Sequence, residues 1–508
     1  MKGVKRMLAN TVVLSGASLL MRAISVAFNV YLTHKLGAAA LGLFGLMMSV
    51  FSFCITLSCS GVRLATTRLT TEAMSRGQNP RRPFMFCAVW GLTAGSLVGA
   101  GLWLLSDCIA VKAINFAGAA PALRIMAIGL PPLAVSSAMR GFFLARRQIG
   151  RQATVDLFEL ITQSAIIIVA LECLLPSDAA NGLRAVAYGA SLSEYAAKGS
   201  MPYGDIIKQF VRIVAPTAGS ALFCSLLRTS EQLLIPVALR SSGLDAEAAL
   251  ASLGMVSGMV LPVLYFPSAI LTAFSSLLVP ELTEAFVRKH KITIKRVVSR
   301  SLAATALFAI GVAGIAFGFA SDLSQAVYGG QDTASLMRIF APLIPLVYLD
   351  SVVDGMLKGL DEQFRQMLYS VLDAGLSCLL IWLLIPRWAL MGYVATIFIA
   401  KSVNAILNLA RLIRVTTVEI DPLKTLLPVV CVALSVYICH GLPPAESLPA
   451  LALKLGCCGA IYMGLTTLTG CFATVFDKAT GADKGVKVVK RMTKKIPYFD
   501  DNLPRTVL

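Results

Sequence analysis

The sequence is poor in charge, in histidine and in polar stretches. Only 14% of its 508 residues are charged, against about 25% in ordinary soluble proteins, which excludes a water-soluble globular protein of this length. Three histidines, His34, His290 and His440, leave histidine catalysis and metal binding little to work with. The twelve cysteines are scattered through apolar runs, as at Cys54, Cys59, Cys87, Cys108 and Cys224, and no spacing among them matches a metal site. They read as small packing residues rather than as a disulfide or metal framework. No cofactor and no metal is expected. The chain inserts no soluble domain before Phe476, and its outer loops are too short to carry the acidic catalytic group an integral glycosyltransferase needs, so an enzyme is not expected either.

What the sequence has instead is apolar runs of about 20 residues, each the length of a helix crossing the hydrocarbon core. The expected fold is an all-α polytopic membrane protein with about 14 transmembrane helices. The spans are placed at 9–33, 40–62, 84–108, 120–145, 153–175, 182–198, 208–239, 247–281, 297–320, 336–360, 366–387, 389–412, 423–441 and 448–475. The first follows Lys2, Lys5 and Arg6 as a signal peptide would, but it is too long and contains Arg22, so a retained helix is expected. The sixth is short and carries Arg184 and Glu194.

The formal charge is +18, and its distribution explains it. Basic residues collect in alternate loops, as at Arg63, Arg68, Arg76, Arg81 and Arg82, and again at Arg288, Lys289, Lys291, Lys295, Arg296 and Arg300. This is the asymmetry of a chain with both termini in the cytoplasm. It reports topology and excludes a nucleic-acid partner. The basic tail from Lys478 onward suits the surface of anionic lipid.

The chain repeats itself. The run from Ala122 to Gly141 aligns with that from Leu336 to Gly355, pairing Arg124 with Arg338, Pro131 with Pro345 and Gly141 with Gly355 at an offset of 214 residues. Thr71-Glu72-Ala73 recurs as Thr283-Glu284-Ala285 at an offset of 212, and Arg22 to Gly37 matches Arg228 to Gly243 at an offset of 206. Six crossings return the chain to its starting side, so two parallel six-helix lobes are expected, at 1–200 and 201–415. Two additional helices follow at 416–476 and a basic cytoplasmic tail at 477–508. Transporters built on such repeats bind substrate between them near the midplane.

Charged residues inside these spans are the candidate site. At mid-depth stand Arg22, Arg228, Glu231 and Lys401. An ionised side chain there costs about 3 kcal/mol or more, which makes each a functional-site hypothesis. Arg228 and Glu231 are three residues apart on one face and are placed to pair. The remaining balance is cationic and suits a phosphate or pyrophosphate, which a guanidinium meets in bidentate fashion. The competing reading is a set of structural ion pairs, with Lys401 reaching to an interface. Nearer the cytoplasmic face lie Arg140, Glu159, Asp350, Asp354 and Asp373, candidates for a gate or for ion coupling. Asp350 and Asp354 are one turn apart and need a partner. The repeat sets Arg140 opposite Asp354, either as an inner gate or as a permanent salt bridge between lobes. Pro131, Pro132, Pro262, Pro267, Pro342 and Pro345 are expected to interrupt their helices.

Five runs, "LGAAALGLFGLMMSVF", "ALRIMAIGLPPLAVSSAMRGFF", "LLRTSEQLLIPVAL", "GMVLPVLYFPSAILTAFSSLLVPELTEA" and "APLIPLVYLDSVVDGMLKGLDEQ", resemble the stage V sporulation protein B family. That family is a branch of the polysaccharide-transporter group in the multidrug/oligosaccharidyl-lipid/polysaccharide exporter superfamily, related to lipid II flippases. The resemblance runs to about Leu423. It implies fourteen helices, alternating access in the bacterial cytoplasmic membrane, and export of a lipid-linked saccharide such as a lipid II-like peptidoglycan precursor for the spore cortex. Membrane lipids and cell-wall synthesis proteins are the partners it implies. The chain departs from the family's pattern at Asn29, Ala39 and Arg63 and in its shortened sixth span. Two other functions stand beside the flippase: cation-coupled multidrug export, which calls for acidic residues at mid-depth, and a non-transporting scaffold for wall synthesis.

Overall fold

A computed structural model describes residues 2–75, 79–146, 205–329, 333–418, 423–441 and 448–469. The fifth and sixth spans, Glu159 and the basic tail lie outside the described residues. All regular structure among the described residues is helical, as an apolar solvent demands, since a helix satisfies its own backbone polar groups. Ten helices there are long and apolar enough to cross a membrane, and the molecule is a multi-pass membrane protein. Two of the ten, Leu20–Met74 and Gln363–Thr416, each cover two of the spans expected from sequence. The break in the first falls at Gly37, with φ 80° and ψ 171°, a conformation that suits a residue without Cβ. Gly243 holds φ 97° at the same repeat offset of 206 residues, so the two hairpins turn on matched glycines.

Contacts recur at the repeat offsets as well. A Cβ on Gly141 would lie 2.5 Å from the Arg63 carbonyl oxygen, and one on Gly355 would meet Ser275, the position corresponding to Arg63. Arg124 bonds Asp107 at 2.5 Å, while Arg338, its counterpart, donates to Ser321 at 2.7 Å from the counterpart position.

The prolines behave in two ways. Pro131 and Pro132 sit inside the continuous helix Ala120–Ala145 and do not interrupt it, a correction to the expectation from sequence. Pro342 begins a short 3-10 turn, Ala341–Leu343. Around Pro267 the chain turns with i to i+3 bonds, Phe266 to Val263 and Ala269 to Phe266. The carbonyls of Leu264 and Tyr265 therefore lose their helical donors. Side chains replace them: Tyr348 donates to Leu264 at 2.8 Å and Ser268 to Tyr265 at 2.6 Å. The last two helices, Leu423–His440 and Leu448–Leu468, pack on Lys291–Gly318, whose Gly311, Gly314 and Gly318 face Tyr462, Val432 and Val436.

The two repeats touch backbone to backbone at one end. Gly42 lies against the Leu250 carbonyl and Gly254 N, Gly254 against the Ala38 carbonyl, and Gly258 against the Leu41 side chain. Small residues let helix backbones approach this closely, and the contact seals the side on which Gly37 and Gly243 lie. His34 adds a bond from Nε2 to the Val327 carbonyl at 3.0 Å. Gly254→Val is expected to destabilise the detergent-solubilised protein by about 1–3 kcal/mol, because a side chain there has only backbone to displace. Gly375→Ala, with nothing within 4 Å, is expected to leave thermal unfolding within about 1 kcal/mol of wild type. Equal melting curves for both variants would show that the seam is not tightly packed.

Candidate functional site

Below the seam lies a cavity of about 560 Å³ whose wall draws on both repeats. The first repeat supplies Gly45, Ser49 and Ser52, and the second supplies Ser225, Arg228, Glu231, Tyr265, Asp373 and Lys401 among others. Three of the four residues expected to bind substrate, Arg228, Glu231 and Lys401, therefore share one cavity. Arg22 is not part of its wall. It reaches across to the proline break instead, donating from Nη2 to the Tyr265 carbonyl at 3.3 Å. That bond gives Arg22 a backbone acceptor, the carbonyl freed by Pro267.

One expected pairing does not form: among the described residues, no ion pair within 4.0 Å joins Arg228 to Glu231. Helical spacing permits that pair, but Glu231 faces Ser377 and Lys401 across the cavity. Lys401 Nζ bonds Asp373 Oδ2 at 2.8 Å, with the Lys401 side chain 41% exposed and that of Asp373 only 10%. Asp373 thus belongs to the cavity rather than to a separate group near the cytoplasmic face. The other oxygen of Asp373, Oδ1, is buried without a protein hydrogen-bond partner among the described residues.

Asp350 also has a partner that sequence reasoning missed. Asn404 Nδ2 donates to its Oδ2 and Asn408 Nδ2 to its Oδ1, each at 2.8 Å. Both oxygens of the carboxylate are thereby satisfied by neutral donors, without Arg140. Lys401, Asn404 and Asn408 stand at i, i+3 and i+7, one stripe of a helix. The polar stripe in an otherwise apolar run was a readable signal, but attention to ionisable residues passed over it. Glu362 is held by Arg411 in a two-pronged bond, at 2.5 and 3.1 Å, where the helices Ile344–Gly359 and Gln363–Thr416 connect.

The charge balance of the cavity differs from the expectation. Among the described residues, its wall carries two cations, Arg228 and Lys401, and two carboxylates, Glu231 and Asp373, which balance when all four are ionised. Asp373 joins the wall and Arg22 does not.

The lipid II flippase MurJ in an inward closed conformation superposes with a TM-score of 0.68 at 12% identity, over 90% of this chain and 99% of that one. The chain has that fold. A multidrug resistance MATE family transporter of the MOP superfamily, in an inward-facing conformation, matches with a TM-score of 0.61 at 14% identity, over 80% of this chain and 98% of that one. In sequence the chain resembles stage V sporulation protein B of Bacillus subtilis (strain 168), 23% identical over 494 residues, 90% of this chain and 94% of that protein. Sporulation protein YkvU of the same strain is 21% identical over 361 residues, 66% of this chain and 79% of that protein. No family model matches the chain.

Asn408→Ala is expected to cost about 1.5–3 kcal/mol of stability, the worth of a hydrogen bond to a charged group. In an Asp350→Ala background the same change should cost about 1 kcal/mol less or better. A double-mutant cycle of thermal unfolding in detergent measures this, and additive effects would show that the two side chains do not interact.

Proposed function

We propose that this protein is a flippase that carries a lipid-diphosphate-linked saccharide across the bacterial cytoplasmic membrane by alternating access. A lipid II-like peptidoglycan precursor, used in spore cortex synthesis, is the substrate that the resemblance to stage V sporulation protein B supports. The observation that carries the reading is the cavity between the repeats, with Arg228 and Lys401 on its wall and hydroxyls of Ser49, Ser52, Ser225 and Thr229 around them. Guanidinium and ammonium groups suit the phosphates, and hydroxyls suit a sugar. The polyprenyl chain would remain in lipid.

The positive-inside asymmetry places both termini in the cytoplasm, so the glycine seam lies toward the outer face. The described state is then closed outward. Arg140 and Asp354 stand on the opposite side, and their union would belong to the other state of the cycle, as an inner gate. Glu159 remains a candidate for ion coupling. The two lobes, 1–200 and 201–415, would move as the bodies that the seam alternately joins and separates.

A second reading, cation-coupled export of a cationic compound, draws on Glu231 and Asp373, since carboxylates on the wall could hold such a cargo. Translocation of a fluorescent polyprenyl-diphosphate muropeptide in proteoliposomes distinguishes the two. Transport by wild type is expected, with a loss of about 10- to 100-fold in Arg228→Ala and in Lys401→Ala, equivalent to one charged hydrogen bond each. Arg22→Ala should lose less, because Arg22 is not part of the cavity wall and its guanidinium bonds a backbone carbonyl. Export of an organic cation with no lipid movement would replace the flippase reading. Lipid transport unaltered in Arg228→Ala and Lys401→Ala would separate transport from an anion grip.

A further inference from the structure

We propose that a groove beside the glycine seam, apart from the cavity, binds an anionic phospholipid as a wedge between the two repeats. The groove is narrow, about 350 Å³ with its open mouth included. The first repeat gives it Ile114 and Phe116, from the turn between the helices Arg81–Cys108 and Ala120–Ala145. The second gives it Leu233, Val237, Leu250 and Arg240. Leu250 belongs to groove and seam alike, because a Cβ on Gly42 would collide with its carbonyl oxygen. The groove therefore exists only while the repeats are together at this end. The inference does not depend on what the cavity carries.

Each wall is built locally by its own sequence. In the first repeat the chain leaves its helix through a five-residue π-helix, Ile109–Ala113. Asn115 then takes φ 61°, a left-handed conformation that asparagine tolerates better than most residues. Bonds from Ile114 N to the Ile109 carbonyl, 2.9 Å, and from Phe116 N to the Ala110 carbonyl, 2.8 Å, close the turn. In the second repeat Leu234, Val237 and Arg240 stand at i, i+3 and i+6, one face at the end of the helix Asp205–Ser241. Leu234 and Val237 are 40% and 50% exposed, so that face meets lipid rather than protein. The guanidinium of Arg240 follows Leu234 by about 9 Å of helix rise. An apolar strip that ends in a cation matches a phospholipid, chain first and phosphate last.

Charge selects the occupant. A guanidinium meets the two free oxygens of a phosphodiester in bidentate fashion. Lys112, exposed and next to Ala113 of the lining, brings a second cation from the first repeat. The acids that follow Arg240 in the chain do not neutralise it. Asp245 caps its own helix, accepting from Ala248 N at 2.7 Å, and among the described residues no ion pair within 4.0 Å joins Arg240 to Asp245 or Glu247. Like charges supplied by opposite repeats oppose closure, and an anion between them offsets that repulsion. A zwitterionic headgroup offsets it less, since its own ammonium faces the same cations. The positive-inside asymmetry puts the seam outward, so the lipid comes from the outer leaflet. Bound there, it shifts the protein toward the outward-closed state, in proportion to its differential affinity for that state.

Calorimetric titration of the delipidated full-length protein in detergent, with dioctanoyl phosphatidylglycerol and with dioctanoyl phosphatidylcholine, measures the preference. Phosphatidylglycerol is expected to bind about tenfold more tightly, the worth of one charged hydrogen bond. Arg240→Gln should bring the two lipids to equal affinity, and Ala246→Phe, which fills the groove, should weaken both. Hydrogen exchange in nanodiscs reads the wedge itself. Replacing phosphatidylcholine by phosphatidylglycerol should slow exchange about tenfold in both 109–119 and 241–250, and Arg240→Gln should remove that effect. Equal wild-type affinities, a preference that survives in a folded Arg240→Gln protein, or slowing in 241–250 alone would overturn the inference. Arg240 would then be a cation at a helix C-terminus. A short polyprenyl diphosphate that displaces phosphatidylglycerol, binds more tightly than it and loses affinity in Arg240→Gln would overturn the assignment to phospholipid and give the groove to the transported lipid.

Discussion

An ionised side chain among apolar helices has to be compensated by protein, because the hydrocarbon around it offers neither hydrogen bonds nor screening. In this molecule that requirement ties the helices of the second repeat together. Lys401 and Asp373 join the two arms of the long hairpin Gln363–Thr416, and Asn404 and Asn408 fasten the same hairpin to Asp350 on its neighbour. The last helix, Leu448–Leu468, is attached by the same means. Lys454 bonds Asp322 at 2.7 Å, with 8% of its side chain exposed, and lies over the ring of Phe319. Each contact is a local solution to one electrostatic problem, and together they set the rotation of the helices around the cavity.

The backbone poses a similar problem wherever a helix breaks. Pro267 cannot continue the i to i−4 pattern, and the carbonyls it frees lie in apolar surroundings. Tyr348, Ser268 and Arg22 satisfy them. Arg22 comes from the first repeat and Pro267 from the second, so a break in one half is stabilised by a charge in the other. This couples the ends of the cavity to its wall, since Tyr265 belongs both to the break and to the lining. The glycine seam nearby is held by shape rather than by charge. Backbones that meet with only hydrogen atoms between them gain dispersion contact, yet can part without stranding an ion pair. Such a contact suits a surface that must open and close.

The neutral wall of the cavity gives the flippase reading its physical content. A permanently cationic pocket would hold a diphosphate strongly and release it slowly, whereas transport needs binding on one side and release on the other. A lysine paired with a buried aspartate is a cation that becomes available only when something displaces it. The resemblance to stage V sporulation protein B and the fold shared with the flippase structure fit this picture.

Much of the fold could be read in the sequence. The spans near Gly37, Gly243 and Pro267 follow from hydrophobic length and from residues whose backbone preferences are local. The repeat, too, was visible, because Arg124 with Arg338 and Gly141 with Gly355 keep their identities at a constant offset. The site was legible only as a list of charged residues at about the same depth. Pairing Arg228 with Glu231 relied on spacing along one helix, a criterion blind to what a neighbouring helix presents. By itself the sequence determined that the chain spans a membrane and that helices break near Gly37, Gly243 and Pro267, since each of these depends on residues close together in the chain. The tertiary structure alone decided that Asp373 faces Lys401, that two asparagines hold Asp350 and that Arg22 stands at a carbonyl, because the partner of a buried charge is chosen by how separate helices are rotated and packed.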